Sequence, residues 1–229
     1  MARNDCYIIV AAGTGSRFGA PLPKQFCHLG GRPLLLTTID SVRSADPQAA
    51  IVLVLSRQMI GPWREMCAEA SFDISDIIIA AGGASRAESV SNALASVPDR
   101  CTGWISVHDG ARPVVSAELI ERIAQARRPD IHGIIPATAV TDSLREAEAD
   151  GSSHAVDRSR FRAVQTPQSF PASLLKDAYL RASGQAFTDD ASVMEAAGYT
   201  NLVLVEGDPR NIKVTHPADI AVAALYLGK

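Results

Sequence analysis

Residues 7–26 read YIIVAAGTGSRFGAPLPKQF. An apolar run, Tyr7-Ile8-Ile9-Val10, leaves through Gly13, Gly15 and Gly19, and Arg17 and Lys24 follow within the same stretch. Short β-rich runs ending in glycine are the mark of a buried strand whose exit loop lies at a sheet edge. Glycine lets backbone N–H groups approach an anion closely, and two cations add charge that a turn does not need. The stretch therefore points to a phosphate. It fits neither common template: a dinucleotide fingerprint requires a small residue where Phe18 stands, and a P-loop requires Lys and Ser or Thr directly after its last glycine. A turn serving backbone geometry alone is the plain alternative. Pro21 and Pro23, which stiffen the segment carrying Lys24, count against it.

Outward from this strand the pattern repeats. CYIIVAA (6–12) is followed by the helix-like PLLLTTIDSVRSA (33–45), AIVLVL (50–55) by GPWREMCAEA (61–70), DIIIA (76–80) by SRAESVSNALASV (85–97), and WISVH (104–108) by SAELIERIAQARR (116–128), before GIIPA (133–137). The alternation predicts an α/β fold, a mostly parallel sheet flanked by helices on both faces. Ligands of such sheets sit outside the carboxyl ends of the strands, so the residues just after each strand are the candidates for a site.

From residue 138 the rhythm changes. TAVTDSLREAEADGSSHAVDRSRFRAVQTPQ (138–168) mixes small, β-branched and charged residues around Asp150-Gly151, which predicts a long hairpin. It has too little apolar residue for a core of its own, so it is expected to project as an arm and pair with another subunit. Two short helices around LLKDAYLRA (174–182) and DDASVMEAA (189–197), a strand NLVLVEG (201–207) and a final helix PADIAVAALYLGK (217–229) complete the pattern. No repeat or linker divides the chain, so 1–229 is expected to be a single domain with 138–160 as its arm.

Composition limits the partners. Of 229 residues, 47% are hydrophobic, enough for a substantial core, and the formal charge of −3 provides no basic field for a nucleic acid. Cys6, Cys27, Cys67 and Cys101 form no C-x-x-C pair, which argues against a zinc knuckle or a redox motif. The apolar run near the start is too short for a membrane span or a signal-peptide core, so a cytoplasmic protein with no membrane partner is expected.

A second stretch, VHDGARP (107–113), follows the strand WISVH. Asp109 at a strand's carboxyl end can hold a magnesium ion or a substrate hydroxyl, or it can simply pair with Arg112 to tie down a turn. His108 is expected to be structural, because neighbouring strand side chains point to opposite faces.

Taken in order, AAGTGSRFGAPLPKQF (11–26), GGASRAESV (82–90), VHDGARP (107–113), AVDRSRFRAVQTPQ (155–168), FTDDAS (187–192) and EGDPRNIKVT (206–215) closely resemble the 2-C-methyl-D-erythritol 4-phosphate cytidylyltransferase family. The resemblance spans nearly the whole chain. It implies a Rossmann-like fold of nucleotidyltransferase type with a protruding hairpin, a homodimer formed through 138–160, and transfer of a cytidylyl group from CTP to 2-C-methyl-D-erythritol 4-phosphate, with Mg2+ as the divalent ion. It further implies that Arg17 and Lys24 stabilise the transition state at the α-phosphate and that Arg158 and Lys213 position the incoming sugar phosphate. By the same resemblance Ala11, Ala12 and Gly13 line the nucleotide site, and Gly82, Gly83 and Ser89 form the cytosine pocket. Asp109, Arg112, Ser143, Thr166, Thr188 and Asp189 surround the sugar phosphate, with magnesium held mainly by the CTP phosphates and Asp109 contacting either that ion or a substrate hydroxyl. Thr188-Asp189-Asp190 also reads as a helix N-cap.

Three positions depart from the family pattern: Val10 stands where many members have proline, Ala84 where an acidic residue often follows the second glycine, and Ser143 where threonine is common. Ribitol 5-phosphate cytidylyltransferases are the nearest alternative, and a non-catalytic nucleotide-binding protein is the alternative from another class. The chemistry is coherent without a catalytic base: a phosphate monoester has its second pKa near 6, so its oxygen is already an anionic nucleophile at neutral pH. What the reaction requires is neutralised charge and in-line placement, for which Arg, Lys and a divalent ion are suited.

Overall fold

The apolar run at the start of the chain forms the central strand of a twisted sheet in the computed structural model, which describes residues 4–13, 23–182 and 186–228. Cys6–Ala11 is β1; a 3-10 turn at Lys24–Phe26 and a small hairpin, β2 (His28–Leu29) and β3 (Arg32–Pro33), lead into α1 (Leu34–Ala45). The alternation continues through β4 (Ala50–Leu55), α2 (Ile60–Glu69), β5 (Ile77–Ala81), α3 (Arg86–Leu94), β6 (Trp104–Asp109), α4 (Ala117–Gln125) and β7 (Gly133–Ala139). Beyond it come β8 (Leu144–Ala147), β9 (Ser153–Val156), β10 (Arg162–Val164), β11 (Gln168–Pro171), α5 (Ala172–Arg181), α6 (Asp190–Ala196), β12 (Leu202–Glu206) and α7 (Pro217–Tyr226).

Among the described residues the sheet runs β10-β7-β11-β6-β1-β4-β5, with β12 also paired to β7. β1 lies parallel to both β4 and β6. The chain adds β4 and β5 on one side of β1 and then crosses to add β6 on the other. The strand order reverses there, and the crevice outside the carboxyl ends of β1 and β6 is where sheets of this kind bind ligands.

Both faces of the sheet are covered, which explains strands that are apolar at every position. Ile8, Val52 and Val54 point to one face, against Val90 of α3, Leu175 and Ala178 of α5, and Met194 of α6. Tyr7, Ile9, Leu53 and Leu55 point to the other, against Leu36 and Ile39 of α1, Trp63 of α2 and Ile120 of α4. The period of two divides each strand between two cores. Each fully buried leucine or isoleucine contributes about 1.5–3 kcal/mol relative to exposure.

The structure adds two strands that the sequence pattern does not announce. β11 inserts between β6 and β7 and runs antiparallel to both, and β10 pairs antiparallel with the end of β7. A hairpin forms around Asp150-Gly151 but is shorter than the predicted 138–168, because the flanking β10 and β11 join the main sheet: β8 and β9 pair antiparallel over residues 144–156, and Gly151, at φ +86°, makes the turn with the Gly151 N–H donating to the Glu148 carbonyl at 3.1 Å. Nearly all its residues are exposed, and among the described residues β8 and β9 pair only with each other.

Candidate active site

The sheet edge at the carboxyl ends of β1 and β5 is built from two glycine-bearing exits. Where β5 ends, the Gly82 N–H donates to the Leu55 carbonyl at 2.8 Å, drawing the turn over β4 towards β1. A Cβ at Gly82 would meet the Ala12 Cβ at 2.4 Å and the Ser89 Oγ at 3.1 Å, so only glycine permits this approach. The Gly83 N–H donates to Ser89 Oγ at 3.0 Å, which brings Gly82, Gly83, Ser89 and Ala12 into one cluster. The Ala84 N–H donates to the Glu88 carboxylate at 2.7 Å, so this turn keeps an acidic group although position 84 lacks one.

At the β1 exit, a residue that the sequence reading passed over does the anchoring. Buried Gln25 donates from one amide nitrogen to the carbonyls of Ala11 at 2.7 Å and Gly13 at 2.9 Å. This staples the turn carrying Lys24 to the end of the central strand. Pro23 precedes the turn, and its carbonyl accepts from the Phe26 N–H at 2.9 Å. Arg17 lies outside the described residues.

Beside this edge sits a charged centre. Gly110 follows Asp109 and donates its N–H to the Val10 carbonyl at 2.9 Å, holding the β6 exit against β1. Asp109 Oδ2 faces Lys213 Nζ at 2.9 Å and Arg112 Nε at 3.3 Å, and its Oδ1 lies 3.9 Å from Arg86 Nε. Asp109 is buried, and burial alone would raise its pKa; Lys213, Arg86 and Arg112 overcome that and hold the carboxyl well below the usual range. The ion pair with Arg112 and the position at the carboxyl end of a strand are thus properties of the same residue.

His108 and Thr166 brace Asp109 from behind. The Asp109 N–H donates to Thr166 Oγ1 at 3.0 Å, and Thr166 Oγ1 lies 3.0 Å from His108 Nδ1. His108 Nε2 lies 3.1 Å from the Arg112 carbonyl. A carbonyl only accepts, so the proton is on Nε2 and Nδ1 accepts from the threonine hydroxyl. Burial pushes the His108 pKa down to about 4, keeping the ring neutral. Arg112 also donates to the Asn211 carbonyl at 2.7 Å, and the Asn211 amide donates to the Thr166 carbonyl at 2.8 Å, which ties the segment before Lys213 to the same brace.

Asp189 caps α6 by accepting from the Ser192 N–H at 3.1 Å, with Thr188 exposed just before it. Gln168 of β11 holds this turn, donating to Asp189 Oδ2 at 2.9 Å and accepting from the N–H groups of Asp190 and Ala191. Ser143 and Arg158 are elsewhere, exposed on the arm. The Arg158 guanidinium donates to the Thr141 carbonyl, and among the described residues neither side chain bonds to the Asp109 centre. The sequence reading missed Gln25, Gln168, Arg86 and Asp190. Arg86 and Asp190 lie within quoted motifs, but only the fold brings them together.

The chain matches the family model for 2-C-methyl-D-erythritol 4-phosphate cytidylyltransferase over residues 6–229. It is 44% identical over 223 residues to the enzyme of that name from Bacteroides fragilis, covering 96% of this chain and 98% of that protein. To the enzyme of that name from Porphyromonas gingivalis it is 42% identical over 228 residues, covering 99% of each. Its fold is similar to the crystal structure of 4-diphosphocytidyl-2C-methyl-D-erythritol synthase from Anaerococcus prevotii, with a TM-score of 0.82 at 27% identity over the full length of both chains. The 2-C-methyl-D-erythritol 4-phosphate cytidylyltransferase of Thermus thermophilus gives a TM-score of 0.74 at 30% identity, covering 97% of this chain and 98% of that one. None of these proteins is named for a ribitol phosphate reaction. With glycine-bearing strand exits and a charged centre at the carboxyl ends of β1 and β6, the chain belongs to the 2-C-methyl-D-erythritol 4-phosphate cytidylyltransferase family.

Proposed function

We propose that the β1–β6 crevice carries the reaction of this family through the residues assembled above. The chain transfers the cytidylyl group of CTP to 2-C-methyl-D-erythritol 4-phosphate, releasing pyrophosphate, in nonmevalonate isoprenoid biosynthesis. An oxygen of the sugar phosphate forms the new bond to the α-phosphorus while the bond from that phosphorus to the β-phosphate oxygen breaks. The backbone of Ala11, Ala12 and Gly13 receives the nucleotide, and Gly82, Gly83 and Ser89 hold cytosine. Arg17 and Lys24 meet the charge that builds at the α-phosphate. Lys213 and Arg158 orient the sugar phosphate among Asp109, Arg112, Ser143, Thr166, Thr188 and Asp189.

The observation that carries this reading is the Asp109–Arg112–Lys213 cluster held against the end of β1. Two repelling anions must meet there, and the centre supplies more positive than negative charge. His108 is neutral, buried and committed at both ring nitrogens, which suits a reaction needing no general base.

Among the described residues no three His, Cys, Asp or Glu side chains cluster around a metal position. Asp109 offers one carboxylate to a divalent ion, and triphosphate oxygens would supply most of the rest, a donor set that fits Mg2+. When bound, the ion would neutralise phosphate charge and orient the leaving pyrophosphate. The exposed, isolated ribbon supports a homodimer formed through 138–160. No helix among the described residues is long and apolar enough to cross a membrane, and the proposed setting is the cytoplasm, with no nucleic-acid partner.

The test is pyrophosphate release in the presence of Mg2+, each of the four nucleoside triphosphates, and either 2-C-methyl-D-erythritol 4-phosphate or ribitol 5-phosphate. Release with CTP and the methylerythritol substrate alone is expected. Comparable release with ribitol 5-phosphate would overturn the acceptor assignment.

A further inference from the structure

Arg86 opens α3, where its charge lies at the positive end of the helix dipole. A cation there gains nothing from its own helix, so its placement calls for partners elsewhere. It has two, on separate elements. Its Nη2 donates to Asp190 Oδ2 at 2.6 Å, and its Nε lies 3.9 Å from Asp109 Oδ1. Asp190, the first residue of α6, is fully buried, and its other oxygen accepts from the Tyr179 hydroxyl at 2.6 Å. One guanidinium thus connects the start of α3, the end of β6 and the start of α6.

The charge balance shows what this link does. Two carboxylates, Asp109 and Asp190, meet three cations, Arg86, Arg112 and Lys213. Without Arg86 the positive excess is gone, and Asp109 draws more strongly on its remaining partners, Lys213 among them. The start of α6 would also lose its tie to the centre. Lysine could not replace the link, because a single ammonium lacks the spread of the guanidinium fork.

We propose that Arg86 is a positioning residue for the acceptor: by engaging Oδ1 of Asp109 it keeps Lys213 available to a second anion, and by holding Asp190 it fixes the turn at Thr188 and Asp189. The inference rests on the assignment of Lys213, Thr188 and Asp189 to the sugar phosphate made above. The bonds that shape the cytosine turn, from Gly83 to Ser89 and from Ala84 to Glu88, do not involve Arg86, so nucleotide affinity is expected to hold.

The test uses Arg86→Lys and a double variant, Arg86→Gln with Asp190→Asn, which leaves no buried carboxylate unpaired at α6. Lys213→Ala serves as reference. Thermal melting, calorimetric binding of CTP with Mg2+, and steady-state kinetics in both substrates are measured on the full chain. The acceptor KM is expected to rise about tenfold or more in both Arg86 variants and in Lys213→Ala, with the CTP Kd within about twofold of wild type. An acceptor KM within about twofold of wild type in the Arg86 variants, with Lys213→Ala still defective, overturns the role of Arg86 alone. No effect in any of the three removes the Lys213 assignment as well. Equal losses for CTP and acceptor would mark Arg86 as merely structural and also overturn the proposal.

Discussion

Lys213 Nζ lies 2.9 Å from Asp109 Oδ2, joining the end of β6 to the segment that leads into α7. Arg112 shares that oxygen at 3.3 Å. The pair sets a pH signature. The folded-state pKa of Asp109 is depressed below an unfolded value of about 3.9, so its stabilisation is complete above that value and is lost as pH falls towards the folded pKa. In denaturant melts, the stability gap between wild type and Asp109→Asn is expected to stay constant from about pH 8 to 5 and to narrow only below about pH 4. A gap that already closes between pH 8 and 6 would contradict the ion cluster.

His108 gives a second signature in a different window. Its folded-state pKa of about 4 lies below the ordinary 6.5, so the neutral ring stabilises fully above 6.5, and that contribution is lost as pH falls from 6.5 towards 4. The loss is on the order of 1.4 kcal/mol per pH unit, approaching about 3 kcal/mol. His108→Gln should lack this component of the acid slope, as read by denaturant melts between pH 7 and 4. The pH profile of its kcat above about pH 6 should match that of wild type, because the ring transfers no proton. An acidic limb in the wild-type kcat profile that disappears in His108→Gln would make the histidine a proton acceptor instead.

The repeating strands were legible in the sequence because burial on both faces leaves continuous apolar runs, as at Ala50–Leu55. The hairpin was legible because Asp150-Gly151 supplies its own turn chemistry. β11 was not. Gln168–Pro171 is four residues long, carries a proline and a glutamine, and becomes a strand only because β6 and β7 leave a gap for it. The glycine exits and the Asp109–Arg112 pair could be found from local spacing. Gln25 and the Arg86–Asp190 bond could not, since each depends on groups that meet only after the sheet forms.

Neither glycine in the turn proposed to hold cytosine is expected to accept alanine. At Gly82 the added Cβ runs into Ala12 at 2.4 Å, a group fixed on the β1 exit. At Gly83 it meets Glu88 at 2.3 Å from Cγ and 2.7 Å from Cβ, and because that Cβ is fixed on α3, turning the side chain away does not relieve the contact. Gly82→Ala and Gly83→Ala should therefore each raise the CTP KM by about tenfold or more, with the acceptor KM little changed in either. The comparison is made in steady-state assays with each substrate varied in turn. A CTP KM within about twofold of wild type in Gly82→Ala would mean that the turn does not pack on Ala12 when nucleotide is bound.

The last prediction concerns the arm. β8 and β9 form a two-stranded ribbon that no third strand supports among the described residues, and Phe161 and Val164 beyond it are 45% and 46% exposed. Such a ribbon is marginal in water without a partner, and a twofold copy of the same surface is the simplest one. Arg158 bonds within the arm, to Thr141, so its proposed role at the sugar phosphate is best met in the neighbouring subunit. Lys24→Ala should lower kcat by about two to three decades, while Arg158→Ala should raise the acceptor KM far more than the CTP KM. Each variant alone is then defective at both sites of its dimer. Mixing the two chains under conditions that exchange subunits concentrates both lesions in one site of each mixed dimer and leaves the other intact. With equal amounts and random exchange, half the dimers are mixed, and activity at limiting acceptor should return to about a quarter of wild type. If heterodimers are demonstrated and activity stays at the level of the separate variants, Arg158 serves its own subunit and the shared site is wrong.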